Sequence, residues 1–453
     1  MAVDAGAALE RTVRGRVTRA PDALAAAGHD GSHLTGRPSA VVVPEDAADV
    51  VALVVWARAH RVPLVPRGAG TSLDGESVPA DGAVVVDFAP WTGIEEVSVD
   101  ERWARVRPGT VNFALQRALR PDGLFFPPNP GSWTTSTIGG NVGTNASGPR
   151  SFRYGATRAW VREVEIVLGN GRRLRLGTRV AKRTLGPDLL ALVVGAEGTL
   201  GVVTEVTVRL APLPAIRRGL VFPVPEGVSL GGVAGRLGRA ASTGLSAIEY
   251  IDRKCAESLT RFGRPIGPAG TAWLLLEVEA DSSADADRRT ERIRTVARAA
   301  GVPGPPIPYE DADDLWTRRG ESSTALDREL GARVREDVAV PVGRVDELQA
   351  ALERIALEER APLFLFSHLG EGNLHPNFAV DPASPVADRV RDRMCRAALA
   401  LGGTVSAEHG IGRLKRPYVE LELGADAVAW LASVKRWCDP DGILNPGKLY
   451  PDG

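Results

Sequence analysis

The segment Pro66-Arg67-Gly68-Ala69-Gly70-Thr71-Ser72-Leu73 limits the folds open to this chain more than any other. A helical pattern over 46–60 and a short strand over 62–65 precede it. Glycine lets a backbone approach a ligand with no Cβ in the way, so the N–H groups of such a turn can converge on a pyrophosphate. Two familiar nucleotide-binding loops are excluded. A P-loop would end in Gly-Lys-Ser/Thr, and a Rossmann loop would carry glycine where Leu73 stands and would open a helix. Here Asp74-Gly75-Glu76-Ser77-Val78-Pro79 reads as a turn entering a strand over 83–88. Nicotinamide binding in the Rossmann style therefore does not fit, although Asp87 lies at a tempting distance.

Two further glycine segments follow. Pro127 to Ser132 and Thr137-Ile138-Gly139-Gly140-Asn141-Val142-Gly143-Thr144-Asn145 read as one long loop, stiffened by prolines and then opened by glycines. Gly195-Ala196-Glu197-Gly198-Thr199-Leu200-Gly201 runs into an alternating strand over 202–210. Each alone could be a tight connection between strands. Three of them, in a chain with 50 glycines among 453 residues against a typical ~7%, read as an extended cofactor cradle.

The length exceeds what one core usually holds, so two or three domains are expected. With 55 basic against 56 acidic residues, neither a nucleic-acid footprint nor a polybasic membrane patch stands out, and small-molecule partners are expected. Cys255, Cys395 and Cys438 form no Cys-x-x-Cys pair, which removes a cysteine-ligated cluster and fits a reducing cytosol. The N-terminus shows no secretory signal, and the longest apolar run, 50–57, is far short of a transmembrane span.

Three of the six histidines fall within residues 368–409, in His368-Leu-Gly-Glu-Gly-Asn-Leu-His375 and Ala-Glu408-His409-Gly-Ile-Gly. Imidazole and carboxylate suit Zn²⁺ and similar ions, and a further titratable group beside such a site can move protons. Residues seven apart on one extended strand point to opposite faces, so a single strand cannot make the site. With strands over 364–367 and 375–378, the segment 370–373 becomes a four-residue hairpin loop and His368 opposes His375 across the ladder. The set reads as His368, His375 and Glu408 as metal ligands with His409 as base. The bland alternative is ordinary strand histidines with satisfied hydrogen bonds. After Pro212-Leu213-Pro214, strands over 272–278 and 363–366 alternate with helices, and Val345, Leu348, Leu352 and Ile355 share one helical face, as in an α+β domain.

Pro-Arg-Gly-Ala-Gly-Thr-Ser-Leu, Thr-Ile-Gly-Gly-Asn, Gly-Ala-Glu-Gly-Thr-Leu-Gly and the terminal Asn445-Pro446-Gly447-Lys448 resemble the FAD-binding family of vanillyl-alcohol oxidase and p-cresol methylhydroxylase (PCMH), over about residues 38–453. The two histidine motifs resemble its branch of D-2-hydroxy acid dehydrogenases, which act on D-lactate, glycolate and D-2-hydroxyglutarate. The resemblance implies an α+β fold with a two-subdomain PCMH-type FAD-binding domain over 38–214, after an N-terminal segment over 1–37. It implies a ferredoxin-like α+β cap over 215–415 that binds substrate, and a C-terminal helical segment over 416–453 that returns to the flavin. Pro66, Arg67, Gly68, Ala69, Gly70, Thr71 and Ser72 would hold the FAD pyrophosphate. Pro130, Ser132, Thr137, Gly140, Asn141, Gly143, Thr144, Glu197, Gly198, Gly201, Val202, Val203, Thr204, Asn445 and Lys448 would line the rest. Covalent members often place His where Thr71 stands, so the FAD is expected to be non-covalent.

The resemblance also matches Arg319 to a carboxylate-binding arginine, Ser323 to a hydroxyl donor, Arg335 to a position that is often Lys, and Asn377 to a polar neighbour of the substrate. Arg335 keeps the charge but exchanges an ammonium for a planar fork. Glu371 stands where Asp is usual and shapes the turn. The implied reaction is FAD-dependent oxidation of a D-2-hydroxy acid to the 2-oxo acid. The implied cofactors are FAD and a divalent metal, zinc foremost with manganese or iron as alternatives. A quinone, cytochrome or flavoprotein acceptor, a homodimer, and a cytoplasmic protein compatible with peripheral membrane association complete the expectation. An O₂-using oxidase, a non-catalytic FAD-binding relay subunit and a lactone or alditol oxidase are the rivals.

Overall fold

The computed structural model describes residues 8–240 and 243–450. The chain divides into two compact units. The first comprises Met1–Ser147, Gly155–Leu213 and Glu408–Gly453, and the second Gly148–Tyr154 and Pro214–Ala407.

In the first unit the helix Ala47–His60 starts where Asp46 accepts from the backbone N–H groups of Ala48 and Asp49, and it stops at Arg61 in the left-handed region. Val50, Leu53, Val54 and Ala57 recur at helical spacing and are buried against Val42, Leu64, Val84 and Val86 of the adjoining sheet. That four-stranded sheet runs Arg16–Thr18, Ala40–Val43, Val84–Asp87, Leu64–Arg67. Leu64–Arg67 lies parallel to Val84–Asp87, with Leu64 opposite Val84 and Arg67 opposite Asp87. The first glycine segment thus leaves the carboxyl end of a parallel strand and reaches another strand, not a helix, in agreement with the exclusion of a Rossmann loop. The strand expected over 62–65 begins at Leu64 and includes Arg67.

A second, antiparallel sheet in this unit runs Ile94–Ser98, Trp103–Val106, Val202–Arg209, Val161–Val167, Arg173–Gly177. The long loop expected over 127–145 contains a helix, Ile138–Thr144. Thr137 caps it by accepting from Gly140 N at 3.1 Å, while Ile138, Asn141 and Val142 are buried. Burial and the cap override the poor helix propensity of three glycines.

The second unit is built on a sheet ordered Ile307–Tyr309, Ile216–Val224, Ala272–Ala280, Leu245–Ile251, Leu363–His368, Asn373–Phe378, Val334–Arg335, with Val338–Ala339 also pairing to Asn373–Phe378. On one face Val221, Ile251, Trp273, Leu275 and Phe364 pack with Leu259, Leu315 and Leu326 from three helices. Helix Val345–Glu358 buries Val345, Leu348, Leu352 and Ile355, the face read from the sequence. Among the described residues, no helix is long and apolar enough to cross a membrane.

Candidate active site

In the first unit the folding of the sheets brings four glycine- or asparagine-bearing segments together. A Cβ built on Gly68 would lie 2.3 Å from Thr137 Oγ1, so the first segment rests directly on the cap of helix Ile138–Thr144. Glu197 N donates to Gly143 O at 2.8 Å and Gly195 N to Val142 O at 2.9 Å, which seats the third segment on the same helix. Asn445 then closes the ring: its Nδ2 donates to Glu197 O at 2.7 Å and to Glu76 O at 2.9 Å, and its N–H donates to Leu64 O. Lys448 Nζ donates to Val78 O at 2.7 Å.

The glycines divide by purpose. Gly70 has φ +67° with the Arg67 guanidinium directly beneath it, where any Cβ would collide. Arg67 is itself spent on the chain: Nη1 donates to His29 O at 2.7 Å and Nη2 to Ala26 O at 3.3 Å. Its side chain therefore braces the loop, and the loop's backbone is what remains to meet a pyrophosphate. Gly131 and Gly143, by contrast, would find no atom within 4 Å of an added Cβ. Packing does not require glycine there, but close approach of a bound group would. Ser132 turns the backbone, its carbonyl accepting from Thr135 and Ser136 N. This is a cradle that fits an extended dinucleotide.

Glu197 has a second role beyond its place in that loop. Its carboxylate accepts from Ile411 N at 2.7 Å and Gly412 N at 3.0 Å, fixing the turn that carries Glu408 and His409. Burial pushes the Glu197 carboxyl up to about 7, against those two N–H donors and Lys448. Burial, then the charges of Glu197 and Asp74, push Glu76 well above the carboxylate range. Burial, then Arg413, lowers Lys448 to about 8. Glu408 Oε2 accepts from Ser147 Oγ at 3.0 Å.

The second unit supplies a polar face. The strands Leu363–His368 and Asn373–Phe378 form the expected hairpin, with a different register: His368 pairs with Asn373 and His375 with Phe366. The connection is Leu369-Gly370-Glu371-Gly372, one residue earlier than expected, because Gly372 takes φ +73° where a Cβ would lie 2.0 Å from Val340 O. The pairing shift is two residues, and side chains alternate with period 2, so both histidines still share a face. They meet diagonally, not directly opposed, with ring centroids 4.8 Å apart and planes at 87°. Both are buried. Ser151 Oγ donates to Glu371, which thereby ties the turn to the segment Gly148–Tyr154.

The same face continues along both neighbouring strands. Tyr250 pairs with Ser367 and Ile251 with Phe366, which sets Glu249 beside His368. Glu249 Oε1 lies 2.6 Å from His368 Nδ1, and its Oε2 accepts from Arg319 Nε at 3.1 Å and Nη2 at 2.9 Å. Arg319 comes from helix Ala312–Gly320, four residues after the core residue Leu315, and its guanidinium lies 4.6 Å from the Phe366 ring centroid. On the other side Arg335 opposes Asn377. Asn377 is buried: Oδ1 accepts from Arg333 Nε at 2.9 Å and Nδ2 donates to His375 O at 3.0 Å. Arg333 Nη2 also donates to Ser323 Oγ at 2.9 Å, and Arg335 Nη2 donates to Asp327 Oδ1 at 2.8 Å. Glu249 thus joins Arg319 to His368, Arg333 and Asp327 join Ser323, Arg335 and Asn377, and the two groups adjoin on one face where the rings of His368 and His375 meet. Sequence reasoning missed Glu249 and Arg333, the two charges at its centre. A charged residue flanked by apolar neighbours within Leu245–Ile251 was the available signal for the first.

The donor chemistry fits a divalent ion. Two buried imidazoles adjoin, and a carboxylate takes one Nδ1, which directs that ring's Nε2 elsewhere.

The matched family descriptions are an FAD binding domain over residues 38–177 and the C-terminal domain of FAD linked oxidases over residues 229–449. The chain is 33% identical over 420 residues to glycolate oxidase subunit GlcD of Bacillus subtilis, covering 91% of this chain and 89% of that protein. It is 33% identical over 450 residues to D-2-hydroxyglutarate dehydrogenase of Stutzerimonas stutzeri, 96% of each. D-lactate dehydrogenase of Archaeoglobus fulgidus is 31% identical over 413 residues, 90% of each. Among solved structures, p-cresol methylhydroxylase with substrate bound superposes with TM-score 0.81 at 15% identity, covering 100% of this chain and 96% of that one. The 4-ethylphenol oxidase of Gulosibacter chungangensis does so with TM-score 0.80 at 19% identity, covering 99% and 97%. These two share the PCMH-type fold that the sequence motifs suggested. With FAD-binding and oxidase regions both matched and relatives aligned along nearly its whole length, the chain belongs to the FAD-linked oxidases of the vanillyl-alcohol oxidase and PCMH type, in the branch of GlcD and the D-2-hydroxy acid dehydrogenases, and is an oxidoreductase.

Proposed function

We propose that the protein oxidises a D-2-hydroxy acid of the lactate, glycolate or 2-hydroxyglutarate type to the corresponding 2-oxo acid. The observation that carries this reading is the single sheet face on which His368 and His375 adjoin Arg319, Arg335 and Asn377. Such a face offers ligands for an ion that meets the hydroxyl together with cations for the neighbouring carboxylate. FAD, dissociable because Thr71 cannot form a histidyl bond, would accept hydride from the substrate's Cα. A divalent ion on His368, His375 and Glu408, zinc before manganese or iron, would supply a Lewis acid that lowers the hydroxyl pKa.

The chain's own residues do the rest. His409 takes the hydroxyl proton and must be neutral to do so. Arg319 meets the substrate through Nη1, since Glu249 occupies its Nε and Nη2 edge. Arg335 and the Arg333-held pair Ser323 and Asn377 fix the rest of the acid, which selects the face of Cα presented. Electrons leave to a separate quinone, cytochrome or flavoprotein acceptor.

Dye-linked turnover with paired D- and L-lactate, D- and L-2-hydroxyglutarate, and glycolate tests the reading. D-isomers should be turned over and L-isomers not. His409→Ala should lower turnover by roughly 10²–10⁴-fold with FAD retained. Full activity in that variant would remove His409 as the base.

A further inference from the structure

We infer that Glu249 is a positioning residue that joins the divalent-ion site to the carboxylate-anchoring site, an inference that rests on the hydroxy-acid reading above. Its side chain is fully enclosed, in the strand next to that of His368. One oxygen faces His368 Nδ1 at 2.6 Å, and the other receives two N–H groups of Arg319. An ionised carboxylate can only accept, so His368 carries its proton on Nδ1 and presents the Nε2 lone pair, the tautomer a metal ligand needs. The same carboxylate holds one edge of the Arg319 guanidinium and so decides which N–H groups that arginine can offer elsewhere.

A 2-hydroxy acid carries its hydroxyl and carboxylate on adjacent carbons. One rigid carboxylate that sets both a metal-binding imidazole and a carboxylate-binding guanidinium fixes the spacing between the two recognition points. Simple charge compensation for Arg319 would not need the second oxygen to engage His368. Nor would it need Phe366, which is in contact distance of both sides, with its ring 4.6 Å from the Arg319 guanidinium and 5.2 Å from the His375 ring. The layer is thus keyed at one residue.

The test compares FAD-loaded wild type, Glu249→Gln and Glu249→Asp. Zinc affinity is measured by competition with a chromophoric chelator, and KM and kcat are measured with whichever D-2-hydroxy acid the wild type turns over best. Gln removes the charge at constant shape. It should weaken zinc by roughly 10–100-fold and raise KM, with FAD content unchanged. Asp keeps the charge but retracts it, and should give a smaller loss of zinc affinity in the same direction. Should the Gln variant not fold, the Asp variant carries the test alone. Zinc affinity and KM at wild-type values in a folded variant would overturn the inference. A wild-type protein that binds no zinc would instead overturn the metal reading beneath it, an outcome that no variant can imitate.

Discussion

Glu197 in the first unit and Glu277 in the second are both buried carboxyls, yet their environments drive them in opposite directions. Glu197 is met by two backbone N–H groups and a lysine, and burial prevails, raising it to about 7. For Glu277 burial is outweighed by Arg217 and Arg150, which bring its carboxyl down to about 2. The difference extends beyond these two residues. The first unit turns backbone and glycine toward its cofactor and spends Arg67 on bracing a loop. The second lines a sheet face with paired guanidinium and carboxylate groups, with Glu249, Glu277, Arg319 and Arg333 all buried. A cradle that offers backbone, with its charged side chains turned onto the chain itself, suits an extended cofactor recognised along its length. A charged layer suits a small acid recognised by two functional groups.

The largest effect that would break this contrast is expected at Glu277. Glu277→Gln removes the buried carboxylate shared by Arg150 and Arg217 and leaves them the more exposed Asp313, at 2.6 Å from Arg217, which should cost about 3 kcal/mol near neutral pH. A group with a depressed folded-state pKa stabilises above its unfolded value, near 4.3, and loses that contribution as pH falls toward about 2. The variant's stability should therefore fall less steeply than the wild type's below pH 4.3 in urea titrations. A parallel acid limb would show that the arginines do not govern this carboxyl.

Next comes the cradle. Gly143→Leu places a side chain where the protein itself offers no contact, and helix propensity favours the change. It should cost about 1–3 kcal/mol of FAD affinity by overpacking, read from fluorescence on release of the flavin, while affinity for zinc at the proposed metal site stays unchanged. Unaltered FAD affinity would remove Gly143 from the cofactor surface.

The smallest effect is a slope. Because burial raises Glu197, its protonated form is favoured in the folded state, and the associated stability is present below about pH 4.3 and lost as pH rises through about 7. Glu197→Gln should flatten the fall in stability between pH 5 and 8, whatever the constant offset from altered hydrogen bonds to Ile411 and Gly412. An unchanged slope would place the titration on Glu76 or elsewhere.

Much of this was legible in the sequence where periodicity or punctuation had one physical solution. Asp46 ahead of Val50, Leu53, Val54 and Ala57 could only open a helix, and Val345, Leu348, Leu352 and Ile355 could only line one. The turn after Leu73 excluded a Rossmann loop without any structure. The hairpin register was less legible, since two glycines permit neighbouring turns and only Val340 O decides that Gly372 is the left-handed one. Helix Ile138–Thr144 was hidden because its glycines argue against it and its support is tertiary. Arg333 was invisible among 55 basic residues: nothing near it in sequence says that Asn377 and Ser323 wait for it.

The most direct test of the account is anaerobic titration of the purified FAD-loaded protein with D- and L-2-hydroxy acids, before and after removal of divalent ions with a chelator. The flavin band should bleach with D-acids only, and chelation should abolish the bleaching until zinc or manganese is restored. Equal bleaching by both enantiomers, or bleaching indifferent to the chelator, would contradict the metal-assisted oxidation of a D-2-hydroxy acid proposed for this chain.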